Sequence, residues 1–212
     1  MIEQFRAKAA TKDVSLSGVF SLQQCDLKAL PLELENESFD VVTITQVLHH
    51  LSNGLDEHEP VYKLMQELGR VTSPGGGFLW CSTQSREQHG QDGFWWSAIT
   101  PIASAKLAAR FPPLPLFLES LTSGAKYSRV DSHIPVDSLM RREMYLDIEG
   151  PFNQAWRNCD SNWSICSEEE LEAGLAKLRQ IIDAGEAEKF MAEREDSRAK
   201  TGQTTTVVAT KD

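Results

Sequence analysis

Three consecutive stretches leave this chain little choice of architecture. Residues 39–45, "FDVVTIT", are a β-branched run of strand length. Residues 59–71, "EPVYKLMQELGRV", place Val61, Leu64, Met65 and Leu68 at the i, i+3, i+4, i+7 spacing of a helix with one apolar face. Pro60 suits the first turn of that helix, where its missing N–H costs nothing. "SPGGGFLWCST" closes the unit with a glycine-rich turn opening another strand at about residues 77–82. Strand, helix and strand at this separation imply a parallel α/β sheet.

Composition narrows the function classes. A chain of 212 residues can bury a sizeable core, and 41% hydrophobic with 25% charged residues is ordinary for a soluble protein. The net charge of −10 argues against long nucleic-acid contacts, which need a basic face, and favours small organic substrates. No apolar run reaches membrane-spanning length, and "MIEQFRAKAATKD" lacks the apolar stretch of a secretory signal. Cys25, Cys81, Cys159 and Cys166 are scattered without a C-x-x-C pair, so they read as reduced thiols of a cytoplasmic protein. No metal site is expected.

The remaining segments complete the outline. Residues 2–10 read as a short amphipathic helix, and "GVFSLQQCDL" (18–27) as a strand running into Asp26. From about residue 83 to 165 the chain turns rich in aromatics and proline, with helical pieces broken by Pro101, Pro112, Pro113 and Pro115. This block reads as a helical lid inserted over something. Ser167 and Glu170 have the spacing of a capping box ahead of Leu171, Leu175, Leu178 and Ile182, predicting a helix that ends near Gly185. A charged helix at about 187–199 and the strand "GQTTTVVATK" follow.

The succession "CDLKALPLELENESFDVVTITQVLHHL … ELGRVTSPGGGFLWCST" resembles the second half of a class I S-adenosylmethionine-dependent methyltransferase. The match runs over about residues 1–82, and "TTTVVATK" is similar to the last strand of that fold. The resemblance implies a Rossmann-like α/β core made of residues 1–82 and 166–212, with 83–165 as the lid and substrate region. It also implies methyl transfer to a small molecule. In this fold ligands bind beyond the carboxyl ends of the strands. The resemblance would set the Asp26 carboxylate against the adenine amino group, with the Leu27 N–H serving a ring nitrogen. Gln46 and Val47 would lie under the methionine end of the cofactor. The other reading of Asp26 is a turn or helix-cap aspartate. Asp40, at the opposite end of its strand, reads as a turn cap.

His49 and His50 are adjacent, so their side chains are expected to point apart and not to chelate one metal. Either, and His50 in particular, can act as a general base lining the cleft; the plainer alternative is a histidine bonded to backbone. Gly75–Gly77 lacks the lysine and the following helix of a phosphate loop and reads as a helix-to-strand turn. Trp95, Trp96, Tyr145, Phe152, Trp156 and Trp163 can wall a substrate pocket, with Arg141 and Arg142 available for a carboxylate. They can equally form the core of the lid.

The glycine-rich Asp-x-Gly-x-Gly loop of the family is not found in the sequence, which opens at what resembles the helix after the second strand. The core is therefore expected to be N-terminally incomplete and cofactor binding impaired. Self-association, or a second chain that completes the sheet, is expected in turn. A non-catalytic binding or interaction protein derived from a methyltransferase is the competing reading.

Overall fold

The computed structural model describes residues 24–52, 54, 57–90 and 93–212. The helix expected at 2–10 and most of the strand expected at 18–27 lie outside the described residues. Of the latter, Gln24 to Asp26 have irregular backbone and Leu27 enters a turn. The Asp26 side chain closes that turn by accepting the Lys28 N–H at 2.9 Å.

The described strands are β1 (Val41–Thr45), β2 (Gly77–Thr83), β3 (Arg129–His133) and β4 (Thr205–Lys211). They form a single sheet of order β1-β2-β4-β3. β1 and β2 are parallel, with Val41 opposite Phe78 and Thr45 opposite Ser82. β4 runs antiparallel to both β2 and β3, so Thr205 lies opposite Thr83 and Thr206 opposite His133. The carboxyl ends of β1, β2 and β3 and the amino end of β4 therefore share one rim of the sheet.

The crossover between β1 and β2 is helix α1 (Glu59–Val71), with proline in its first turn as expected. Its Val61, Leu64, Met65 and Leu68 pack on the sheet face made by Ile44, Leu79, Cys81, Val207 and Ala209. Lys211 Nζ donates to the Gly69 and Thr72 carbonyls at 3.1 and 3.0 Å, placing a cation on the carbonyl end of α1. Gly75 and Gly76 then turn the chain at φ 77° and 108°, conformations that favour glycine. Asp40 accepts from Ser73 Oγ at 2.8 Å, at the rim opposite the carboxyl ends. Val42 and Ile44 face the main core, half-buried and buried, while Val41 is exposed.

The block after β2 holds short helices: α2 (Arg86–His89), α3 (Pro101–Ala108), α4 (Leu114–Glu119), α5 (Arg142–Tyr145), α6 (Gln154–Arg157) and α7 (Ser161–Ser164). It also supplies β3, which its sequence did not announce. "RVDSH" has no apolar alternation, and only Val130 of this exposed edge strand packs against the core. A second core gathers Phe94, Trp95, Trp96, Ile99, Tyr145 and Trp163. Leu178 and Phe190 join it from α8 (Glu168–Asp183) and α9 (Ala187–Thr201), so this packing extends across residue 165.

Ser167 caps α8 as expected, accepting the Glu170 N–H at 3.2 Å. The Glu170 carboxylate does not return to Ser167. It accepts from the Ile102 and Ala103 N–H groups at 2.7 and 3.1 Å, at the start of α3. α3 has no side-chain cap of its own, and its free N–H groups draw in a charge from the neighbouring helix. Among the described residues no helix is long and apolar enough to cross a membrane.

Candidate functional site

Beyond Thr45 the backbone of Gln46 enters the left-handed region, at φ 51°. A non-glycine residue there is strained unless its surroundings hold it. Here they do. The Gln46 N–H donates to the Ser82 carbonyl at 2.8 Å, and its amide reaches Ser82 Oγ at 3.2 Å and Thr204 Oγ1 at 3.3 Å. Thr204 in turn donates to the Thr83 carbonyl at 2.9 Å. The ends of β1 and β2 and the start of β4 thus meet in a small polar knot, and the turn it fixes swings the chain into a 3₁₀ turn, Leu48–His50.

That turn forms one wall of a cavity of about 110 Å³. Gln46, His49 and His50 face it from the strand end, and Gln84, His89, Met140, Arg141, Asp160 and Ser161 from the inserted block. Residues of that block thus share one cavity with the end of β1. His89 ends α2, whose start is held by a capping box: Ser85 Oγ accepts the Gln88 N–H at 3.3 Å, and Gln88 Oε1 accepts the Ser85 N–H at 2.9 Å. Asp160 caps α7 by accepting the Asn162 N–H at 2.8 Å.

Burial dominates the electrostatics. His49 is 7% exposed, and its ring packs 5.1 Å from that of Phe111 and 4.0 Å from that of His50. Desolvation, then the nearby His50, His89 and Arg110, push its pKa down to about 3. His50, more open, is lowered by burial and then by Arg110. His89 lies between the rings of Phe94 and Phe111, at 5.3 and 5.5 Å. Burial lowers its pKa, and the Asp160 carboxylate opposes that effect. The Nδ1 atoms of both His49 and His89 are buried without a hydrogen-bond partner, while His49 Nε2 lies 3.4 Å from Ser161 Oγ. A neutral imidazole with an open nitrogen can accept a proton or hold a polar ligand atom.

Of the residues singled out from sequence, Gln46, His49, His50 and Arg141 converge on this cavity. The histidine rings do not point apart: their centroids lie 4.0 Å from one another in the Leu48–His50 turn. Among the described residues no cluster of His, Cys, Asp or Glu is placed to hold a metal ion. Asp26 lines a different cavity, of about 310 Å³, with Cys25, Ala29, Pro31 and Leu32. Leu27 and Val47 pack against the main core. Trp95, Trp96 and Tyr145 are 1%, 1% and 2% exposed in the second core, and none lines the cavity at Gln46. Trp95 Nε1 donates to the Tyr145 carbonyl at 2.8 Å, and the Tyr145 hydroxyl to Glu195 at 3.0 Å.

His89, Asp160, Ser161 and Gln84 were not anticipated. Ser85-x-x-Gln88 and Asp160 are legible as helix caps, but nothing in their sequence neighbourhood shows that the helices they start converge on β1.

Residues 1–80 match the family model of a methyltransferase domain. No curated protein matches the chain. Among solved structures the chain is similar to a protein described as a methyltransferase from an antibiotic biosynthesis pathway of Anabaena variabilis. The TM-score is 0.65 at 18% identity, covering 86% of this chain and 70% of that one. It also matches phosphoethanolamine N-methyltransferase 2 of Haemonchus contortus in complex with S-adenosyl-L-methionine, with a TM-score of 0.44, 13% identity, and coverage of 88% and 36%. The [4+2]-cyclase SpnF gives 0.41, 19%, 89% and 54%. The two lower scores carry no weight for the fold. Residues 1–80 thus carry the signature of a methyltransferase domain, and the chain has the Rossmann-like α/β fold of the class I methyltransferases.

Proposed function

We propose that the protein is an S-adenosylmethionine-dependent methyltransferase acting on a small molecule. The observation that carries this reading is the Gln46 rim. The sheet of methyltransferase fold ends there in a strained, polar turn tied to Ser82 and Thr204, beside a cavity of about 110 Å³.

Two cavities that share no lining residue, one at Asp26 and one at Gln46, support a cofactor reading. Asp26 offers a carboxylate acceptor in a cavity whose other walls include Ala29, Pro31 and Leu32, which suits a flat base with an amino group. The Leu27 N–H follows it in the chain. Gln46 and Val47 would hold the methionine end near the histidine cavity. When bound, S-adenosylmethionine supplies a methyl carbon already activated on a sulfonium. The task left to the chain is to align the acceptor, exclude water and dispose of a proton. The burial of His49 and His89 serves the exclusion of water, and Arg141 stands at the cavity to orient the acceptor. Binding through the Asp26 and Gln46 segments alone is expected to be weak.

Titration calorimetry with S-adenosylmethionine tests the reading. Saturable binding that Asp26→Ala and Gln46→Ala each weaken supports it. Absence of binding at millimolar ligand favours the non-catalytic alternative, and binding indifferent to both substitutions overturns the assigned contacts.

A further inference from the structure

Among the described residues four that are not glycine adopt a left-handed backbone, and two of them, Gln46 and Arg141, line the same cavity. Such strain persists only where the surroundings hold it, and it collects at ligand sites. At Arg141 the Met140 N–H donates to Gln203 Oε1 at 2.7 Å, and the Tyr145 N–H donates to the Arg141 carbonyl at 3.0 Å. The Arg141 guanidinium borders the cavity 43% exposed, bonded to the Cys159 carbonyl and 3.6 Å from the Asp160 carboxylate. That carboxylate is already engaged, since it accepts the Asn162 N–H at 2.8 Å.

A second guanidinium stands close by without a counter-charge. Arg110 is half-buried, and among the described residues its side chain has neither a hydrogen bond nor an ion pair. Its chain neighbour Phe111 packs its ring 5.1 Å from that of His49 and 5.5 Å from that of His89, which fixes Arg110 beside the histidine wall. Its charge acts on both His49 and His50. The carbonyl end of α3, two residues earlier, favours a cation there, yet no carbonyl accepts from this one. A half-buried cation without a partner has given up hydration for nothing in exchange. In a chain of net charge −10, two arginines against one engaged carboxylate make this corner of the molecule locally positive.

Resting on the methyltransferase reading, we infer that the acceptor carries an anionic oxygen group, a carboxylate or a phosphate, and that Arg110 and Arg141 select it beside His50. An oxyanion there meets the fork of N–H donors that a guanidinium presents, and these charge-assisted bonds are the strong ones. A neutral molecule would leave Arg110 unpaired, and an ammonium would be repelled. Arg110 thus determines specificity and takes no part in the transfer of the methyl group. By holding the anionic end of the acceptor it fixes which end faces the Gln46 rim.

The test needs no cofactor. Benzoate, phenyl phosphate and the neutral benzamide, which share one ring, are titrated into the full chain by calorimetry, with histidine ring resonances as a second readout. Expected is saturable binding of at least one anion, with benzamide weaker by about tenfold or more. The tighter of the two anions names the group. Bound anion should raise the pKa of His50, because a negative charge favours the imidazolium, and benzamide should not. Arg110→Gln keeps a polar side chain and removes the charge. It should weaken the anion by about tenfold, leave benzamide unchanged and raise the His50 pKa in the unliganded protein. Arg110→Lys should recover part of the affinity. The comparison of anion with benzamide in the natural chain stands whether or not a variant folds. Benzamide binding as tightly as the anions, anion affinity unchanged in Arg110→Gln, or no saturable binding of either anion would each overturn the inference. S-adenosylmethionine titration separates the two readings: cofactor binding without these anion results refutes only the anionic acceptor. The anion results without cofactor binding refute the methyltransferase reading.

Discussion

Acidification should unfold this protein through His49. Its folded pKa is pushed down from 6.5 to about 3 by burial and by His50, His89 and Arg110. In the unfolded chain the ring titrates near its ordinary value, so below that value the unfolded state binds a proton that the folded state refuses. Stability is therefore complete above pH 6.5 and falls as pH drops toward 3, by about 1.4 kcal/mol for each pH unit in that range. Between pH 7 and pH 5 the loss from this one residue is about 2 kcal/mol. That figure barely depends on the folded value, since a ring titrating a full unit higher would still be neutral at pH 5. The measurement is urea unfolding followed by tryptophan fluorescence at both pH values, for the natural chain and for His49→Gln. The difference between the two pH values should shrink by about 2 kcal/mol in the variant. An equal pH dependence in both would refute the claim that His49 is buried neutral.

Further outcomes concern stability at pH 7. Leu64→Ala, at a fully buried position of α1 against the sheet, should cost about 3 kcal/mol by urea unfolding. Glu170→Gln removes the charge that satisfies the start of α3 and should cost about 1 kcal/mol by the same assay. Gly174→Ala would set a Cβ 2.4 Å from the Ile99 carbonyl oxygen, so α8 must shift away from the second core; calorimetric melting should show a loss of about 2 kcal/mol.

Where order is local, the chain could be read directly. The apolar stripe Val61–Leu64–Met65–Leu68 could only be buried as a helix, and the glycines after α1 permit the turn that returns the chain to the sheet. Ser167 announced α8, and the β-branched end of the chain announced β4. These features depend on neighbours a few residues apart, through helix periodicity, backbone conformational freedom and side-chain capping. β3 was illegible for the converse reason. An exposed edge strand is held by ladder bonds to β4, about eighty residues on, and those bonds need no apolar pattern. The partner of Glu170 was hidden in the same way, because the N–H groups of α3 compete with Ser167 for its carboxylate only once α3 and α8 are packed.

At the site the division is the same. The sequence by itself determined that a strand ends in Gln46 and that histidines follow. Their meaning was decided by tertiary structure: the block after β2 carries His89, Asp160 and Arg141 to the rim from segments up to 114 residues away, and His49 is buried beside His50, His89 and Arg110. Desolvation and the pairing of distant charges are properties of packed surroundings. No spacing of residues along a chain encodes them.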